Sequence, residues 1–293
     1  MIDICILQSI NISDIARSWY IMIPKIIHFI WINKSQEFGP GEYASLLSAL
    51  INTDYKIMLH TNLGPQTAKS KYNPYKLQSK WPRLTINKMD FEDTFEGVKA
   101  KIGNIADIYR IRLLYKYGGI YSDLDMFWFQ NLDVDLKSVN YLACWENPSY
   151  KTVQNAFMAM AKGFPPAKGL LDEFRDVFRK VHDKGFTDIS DMKELKYHIL
   201  LFHATSNFSK KNADTILSKN YFFKNGWRRI GRELTRLKLP IKYQDQDYGK
   251  TNDTLSLDDI TGFHFYNYLY PYSSIIKIPA LRKKMKPILD EMP

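Results

Sequence analysis

Apolar, β-branched and aromatic residues cluster in the run Ile23 to Ile32 (IPKIIHFIWI), which predicts a buried strand opening just after Pro24. Tyr43 to Asn52 follows helical spacing, and Tyr55 to His60 (YKIMLH) reads as a second strand. This β-α-β order predicts an α/β sheet with parallel neighbours. A short helix is expected at Ser13 to Tyr20, with Ser13 as its N-cap. Residues 61 to 100 scatter Pro, Lys, Asn and aromatics and read as loops and short helices.

The best-defined periodicity lies between Asn104 and Tyr117. Ile105, Ala106, Tyr109, Leu113 and Tyr117 share one stripe, and Asp107, Arg110 and Leu114 a neighbouring one. Gly118-Gly119 stops that helix. A strand is expected to start at Ile120 and run through Asp123, Leu124 and Asp125 to Phe129. The stretch Leu170 to Leu237 looks mainly helical and rich in Lys and Arg, whereas Gly262 to Ile278 returns to strand-like aromatics. No internal repeat, low-complexity tract or Gly/Ser linker divides the chain. The expected organisation is an N-terminal helical extension over 1–22 and one α/β domain over 23–293, with a helical, acceptor-side insertion at about 165–240.

Composition narrows the class. The 293 residues carry 41 Lys and Arg against 31 Asp and Glu, a net charge of +10; 45% are hydrophobic and 25% charged. Those proportions are globular and exclude a disordered or collagenous chain. Two cysteines, Cys5 and Cys144, are too few for a disulfide framework or a thiolate zinc site. The apolar stretch Tyr20 to Ile32 is short and interrupted by Pro24, Lys25 and His28, so no membrane span is expected, and residues 1–19 lack the pattern of a secretion signal. A cytoplasmic protein is expected. Its basic stretches, Trp227 to Lys238 and Arg282 to Lys286, are a solvated face by default and otherwise a peripheral contact with an anionic membrane surface.

Asp123 and Asp125 carry the chemistry. On an extended segment residues two apart point to one side, and like charges that close stay ionised only around a cation. Hard oxygen ligands suit Mg²⁺ or Mn²⁺ shared with a diphosphate. A lone D-x-D is weak, but here it closes the run N-I-A-D-I-Y-R-I-R-L-L-Y-K-Y-G-G-I-Y-S-D-L-D, Asn104 to Asp125. That run resembles glycosyltransferase family 32, the DXD-containing sugar-binding region family, at nine positions in fixed register: Asp107, Arg110, Leu114, Gly118, Gly119, Ile120, Tyr121, Asp123 and Asp125. It departs at Ala106, where the family often has Ser. The strand Ile23 to Ile32 and the segment Asn155 to Ala159 are similar to the same family.

The resemblance implies a GT-A (Rossmann-like) nucleotide-sugar-binding fold and a metal-dependent, retaining hexosyltransferase using a UDP- or GDP-sugar, UDP foremost. It implies that Asp125 ligates Mn²⁺ or Mg²⁺ directly and that Asp123 touches the ribose, or the metal through water. Asp107 and Arg110 would hold donor hydroxyls, and Trp31 or its strand would meet the base, with Tyr121 and Asn155 also on the donor. A late His or Asn is expected as third ligand; His264 stands in that place, against the plain reading of a buried histidine. The Ser-x-Trp-like ending expected nearby is reduced to Pro271-Tyr-Ser-Ser274.

Structural readings stand beside these. Asn104 could be an N-cap with Asp107 at the third helical position, and Arg110 could merely pair with Asp107. Trp31 by residue type belongs to a core, and His28, His60 and His203 read as structural. The acceptor is left open among glycan, glycolipid, protein (as for toxin-like transferases) and modified nucleobase (as for phage-type enzymes). A phosphatase of the haloacid-dehalogenase type would want Thr or Val where Phe127 stands, and a nucleic-acid-binding protein would want a recognisable motif that is missing.

Overall fold

The computed structural model describes residues 22–32, 37–65, 71–147, 151–191, 197–222, 227–239, 257, 260–265 and 270–293. The expected helix at Ser13 to Tyr20, and Cys5, lie outside them. In chain order the elements are β1 (Ile26–Trp31), α1 (Pro40–Asn52), β2 (Lys56–Thr61), α2 (Pro74–Lys80), β3 (Leu84–Lys88), β4 (Thr94–Phe95) and β5 (Val98–Lys99). They continue with α3 (Ile102–Tyr117), β6 (Gly119–Ser122), β7 (Met126–Trp128), β8 (Tyr141–Asn147), β9 (Thr152–Met160), α4 (Pro166–Asp183) and α5 (Tyr197–Asn212). The last are β10 (Thr215–Leu217), α6 (Trp227–Arg236), β11 (Gly262–His264), α7 (Tyr272–Ile275) and α8 (Pro279–Leu289).

A seven-stranded sheet in the order β10-β8-β9-β6-β1-β2-β3 forms the centre. Every strand in it runs the same way except β9, which pairs antiparallel with both β6 and β8. The carboxyl ends of β1, β6 and β8 and the amino end of β9 therefore share one rim. Alternation along the strands feeds two apolar layers. Ile27, Phe29, Ile57, Leu59, Ile120 and Leu142 pack beneath α1 and α8. Ile30, Tyr121, Tyr141, Ala143 and Met158 pack against α3, α4 and α5. The result is a mixed α/β sandwich with a mostly parallel sheet at its heart.

Three local expectations change. Leu84 to Lys88 is a third parallel strand rather than loop, its register running from Ile57↔Leu84 to Thr61↔Lys88. It lies at the sheet edge, where only Leu84 is buried, so its five residues carry too little apolar signal to announce a strand. Asp123 and Asp125 do not lie on an extended strand. The Met126 amide donates to the Asp123 carbonyl at 3.2 Å, closing a turn between β6 and β7. Among the described residues of 262–278 the strand is confined to Gly262–His264; Pro271 fixes the backbone for the short helix α7 instead.

The helix predicted from Asn104 begins earlier, with Lys101 as N-cap, so Asn104 and Asp107 lie inside α3 and the N-cap reading is set aside. It ends at Gly118, with φ +67, followed by Gly119 with φ +105. Both glycines are forced by contact as well as conformation. A Cβ on Gly118 would meet the Lys162 amide nitrogen at 2.7 Å, and one on Gly119 the Ile26 carbonyl oxygen at 2.7 Å. Close passage there lets the chain turn straight from α3 into β6 beside β1.

Candidate active site

Asp107 and Arg110 stand one turn apart on α3 and are both buried. The Arg110 guanidinium lies 2.9 Å from Asp107 Oδ1 and 3.7 Å from Asp123 Oδ1, and 4.5 Å over the Tyr121 ring. It also donates through Nη1 to the Asn155 carbonyl. Asn155 Nδ2 donates to Asp107 Oδ1 at 2.9 Å, and the Tyr121 hydroxyl donates to Asp123 Oδ1 at 2.6 Å. Five of the residues singled out from sequence thus form one network of hydrogen bonds and ion pairs over the rim. The i, i+3 pairing of Asp107 and Arg110 is real, but the arginine reaches beyond it to two further strands.

Asp125 and His264 form a second pair beside it. His264 Nε2 lies 3.0 Å from Asp125 Oδ1. The histidine arrives from far along the chain because β11 pairs antiparallel with β7, setting His264 opposite Met126. Asp123, Asp125 and His264 each present a ligand atom, and these atoms lie within 4.8 Å of one another. Two carboxylates and one imidazole at that spacing fit a hard or borderline divalent ion such as Mn²⁺.

Electrostatics point the same way. Burial pushes Asp107 up to about 6, against the pull of Arg110. Burial also raises Asp123, and Asp125 adds to it while Arg110 opposes. Burial works against the charge on His264, but Asp125 and Asp123 outweigh it and hold the imidazole above its ordinary value. Arg110 is held more firmly protonated than usual because Tyr121 and the surrounding aspartates overcome its burial. Carboxylates outnumber the cationic groups, so a bound cation would relieve the site.

Trp31 ends β1 on the same rim. It packs edge-on against Phe38 at 5.4 Å and keeps a buried indole N–H without a hydrogen-bond partner among the described residues. One acidic residue escaped the sequence reading: Glu146, in β8, whose charge and that of His264 act on each other. Its only sequence signal is a carboxylate placed directly after the apolar run Tyr141 to Trp145.

Residues 11–142 match the family model of the glycosyltransferase sugar-binding region containing the DXD motif. An inositol phosphoceramide mannosyltransferase 3 of Schizosaccharomyces pombe is 31% identical over 144 residues, which span 49% of this chain and 35% of that protein. The apo-form glycosyltransferase GlyE of Streptococcus pneumoniae TIGR4 superposes with a TM-score of 0.53 at 12% identity, covering 92% of this chain and 62% of GlyE. A second GlyE structure gives 0.50 at 12% identity, covering 91% and 63%. The fold is that of the GT-A glycosyltransferases.

Proposed function

We propose that this chain, whose residues 11–142 match the DXD glycosyltransferase family, is a metal-dependent, retaining glycosyltransferase that moves a hexose from a UDP- or GDP-sugar to a hydroxyl acceptor. The observation that carries this reading is the convergence of Asp123, Asp125 and His264 beside the Asp107–Arg110–Asn155 network. Residues 23–293 then act as one catalytic domain, with the helices of about 165–240 on the acceptor side.

Asp125 and His264 would hold the ion beside the β6–β7 turn. Asp123 would offer it, directly or through water, the carboxylate oxygen that Tyr121 leaves uncommitted. A divalent cation in that place supplies Lewis-acid stabilisation of the diphosphate's growing charge. The chain's own residues do the rest. Asp107 accepts hydrogen bonds from sugar hydroxyls and opposes the positive charge that grows at the anomeric carbon. Arg110 locks Asp107, Asp123 and the Asn155 backbone into one geometry, so the sugar meets a preorganised surface. Trp31, with its unpartnered N–H at the end of β1, would meet the base of the donor.

The name of the S. pombe relative, an inositol phosphoceramide mannosyltransferase, supports mannose as the hexose and a glycolipid headgroup as the acceptor. Among the described residues no helix is long and apolar enough to cross a membrane. The exposed Arg282, Lys283 and Lys286 on α8 would instead meet an anionic membrane surface at the periphery.

The test is a panel of UDP-glucose, UDP-galactose and GDP-mannose with Mn²⁺, with and without chelator, read as released nucleotide. One donor should turn over, chelator should stop it, and Asp125→Asn should lower turnover at least about a hundredfold, the scale lost when a transition-state charge contact is removed. Near-wild-type turnover by Asp125→Asn would overturn the assignment.

A further inference from the structure

β7 has a partner strand on one edge, β11. The Phe129 amide donates to the Thr261 carbonyl at 2.8 Å, and the Phe265 amide donates to the Asp125 carbonyl at 3.0 Å, so positions 125 and 129 face β11. Bonding alternates along an antiparallel ladder, and Met126 and Trp128 therefore aim their backbone groups away from β11. Both residues are buried. An unpaired amide or carbonyl there would carry the full desolvation cost of a polar group.

α1 supplies the missing edge from its side chains. Ser45, Ser48 and Asn52 share one helix face, and the two serines are buried. The Ser45 hydroxyl donates to the Met126 carbonyl at 2.6 Å. The Ser48 hydroxyl donates to the Ser45 carbonyl at 2.6 Å, which leaves its oxygen to accept the Trp128 amide at 2.9 Å. Asn52 Nδ2 donates to the Trp128 carbonyl at 2.8 Å. The Met126 amide closes the D-x-D turn on the Asp123 carbonyl. The outer edge of β7 is thus paired throughout, mostly by a helix standing where a strand would stand.

This clamp grips both ends of the turn. Met126 follows Asp125 directly, and the Trp128 indole donates to the Ser122 hydroxyl at 3.1 Å, directly before Asp123. The clamped strand also carries β11, whose His264 lies opposite Met126. We propose that Ser45 and Ser48 are positioning residues of the metal centre: by fixing β7 against α1 they set where Asp123, Asp125 and His264 meet a divalent ion. This rests on the metal-dependent reading of the site and names what holds its ligands in place.

The test reads metal binding rather than turnover. Wild type, Ser45→Ala, Ser45→Cys, Ser48→Ala, Asn52→Ala and Asp125→Asn are compared as full chains with Ser209→Ala. Ser209 is a matched control, a buried serine on α5 across the sheet, 2.5 Å from the Tyr141 hydroxyl. The Mn²⁺ Kd is read by electron paramagnetic resonance of the free ion, and Tm is read without metal. All three Ser→Ala variants should lower Tm, since each loses a buried hydrogen bond. Ser45→Ala should weaken the Mn²⁺ Kd about tenfold, the low end for loss of a group that supports metal ligands. Ser48→Ala should weaken it about threefold, and Asn52→Ala and Ser209→Ala should stay within about twofold, because the effect follows distance along β7 from Asp125. Ser45→Cys keeps a weaker donor and should lie between wild type and Ser45→Ala. A Kd within about twofold of wild type in Ser45→Ala would overturn the proposal. So would a Ser209→Ala Kd weakened as much as that of Ser45→Ala, because the loss would then follow stability and not position. A wild type that binds no Mn²⁺, or an Asp125→Asn that binds it equally well, would instead remove the metal centre itself, and the clamp's role with it.

Discussion

Arg110 shows how much one side chain can organise. It is buried, and its planar fork touches Asp107, Asp123 and the Asn155 carbonyl while its face covers Tyr121. A lysine keeps the charge but presents a point cation without the fork or the flat face. Arg110→Lys should therefore lower kcat/KM for the donor by about ten- to a hundredfold, the worth of one or two charge-assisted hydrogen bonds. Its Mn²⁺ affinity should stay near wild type, because the arginine contacts only one of the three proposed ligands; steady-state kinetics beside a Mn²⁺ titration checks both. At this scale the sequence was informative where motif register fixed the residue. Asp107, Arg110, Tyr121, Asp123 and Asn155 are all in the network. Glu146, the extra residue of a bulge between Trp145↔Val153 and Asn147↔Thr152, was not legible, because a bulge is a property of two paired strands and leaves no mark in one of them.

At the scale of elements, the close passage of α3 into β6 and the histidines beneath it make two predictions. Gly119→Ala would put a Cβ 2.7 Å from the Ile26 carbonyl at φ +105, so it should cost about 2 kcal/mol or more, read as a lowered urea midpoint. Next to it, His28 Nδ1 lies 2.9 Å from His60 Nε2, His28 Nε2 lies 2.8 Å from the Gly118 carbonyl, and Asn87 Nδ2 lies 3.0 Å from His60 Nδ1. A carbonyl only accepts, so the protons are assigned in one direction: Asn87 donates to His60, His60 to His28 and His28 to Gly118. Each imidazole must then be neutral, since an added proton has no acceptor. Burial accordingly lowers His28 to about 4 and His60 to about 3. In the unfolded chain both take up protons near pH 6.5, so the stability they contribute is complete above pH 6.5 and is lost as pH falls towards 4 and 3. For His28 the difference is worth about 3 kcal/mol at roughly 1.4 kcal/mol per pH unit. Urea midpoints should fall between pH 6.5 and 4, and His28→Asn should flatten that slope; an equally steep profile in the variant would exclude the histidine chain as its source. Helices and buried strands were legible from periodicity, whereas edge strand β3 and the D-x-D turn were not. Short segments lack a period, and their conformation is set by the neighbours they pair with.

At the scale of the whole molecule, the three proposed metal ligands come from one tight turn and one distant strand, so an ion would tie residues 123–125 to residue 264. A ligand that binds only the folded chain stabilises it by about 2.7 kcal/mol at a hundredfold excess over Kd. For a chain of this size that should raise Tm by about 5 °C in Mn²⁺, with no rise in Asp125→Asn. A rise of equal size in both proteins, seen by differential scanning fluorimetry, would place the ion elsewhere. Sequence alone determined the α/β class, the helix that carries Asp107 and Arg110, and the motif at which chemistry was expected, because local periodicity and fixed spacing are written within a few turns of chain. Only tertiary structure decided that His264 lies beside Asp125, that Asp123 and Asp125 ride a turn, and that Glu146 is the extra residue of a bulge in the β8–β9 ladder. Those facts depend on pairings between segments up to 139 residues apart, which strand register settles and no local pattern encodes.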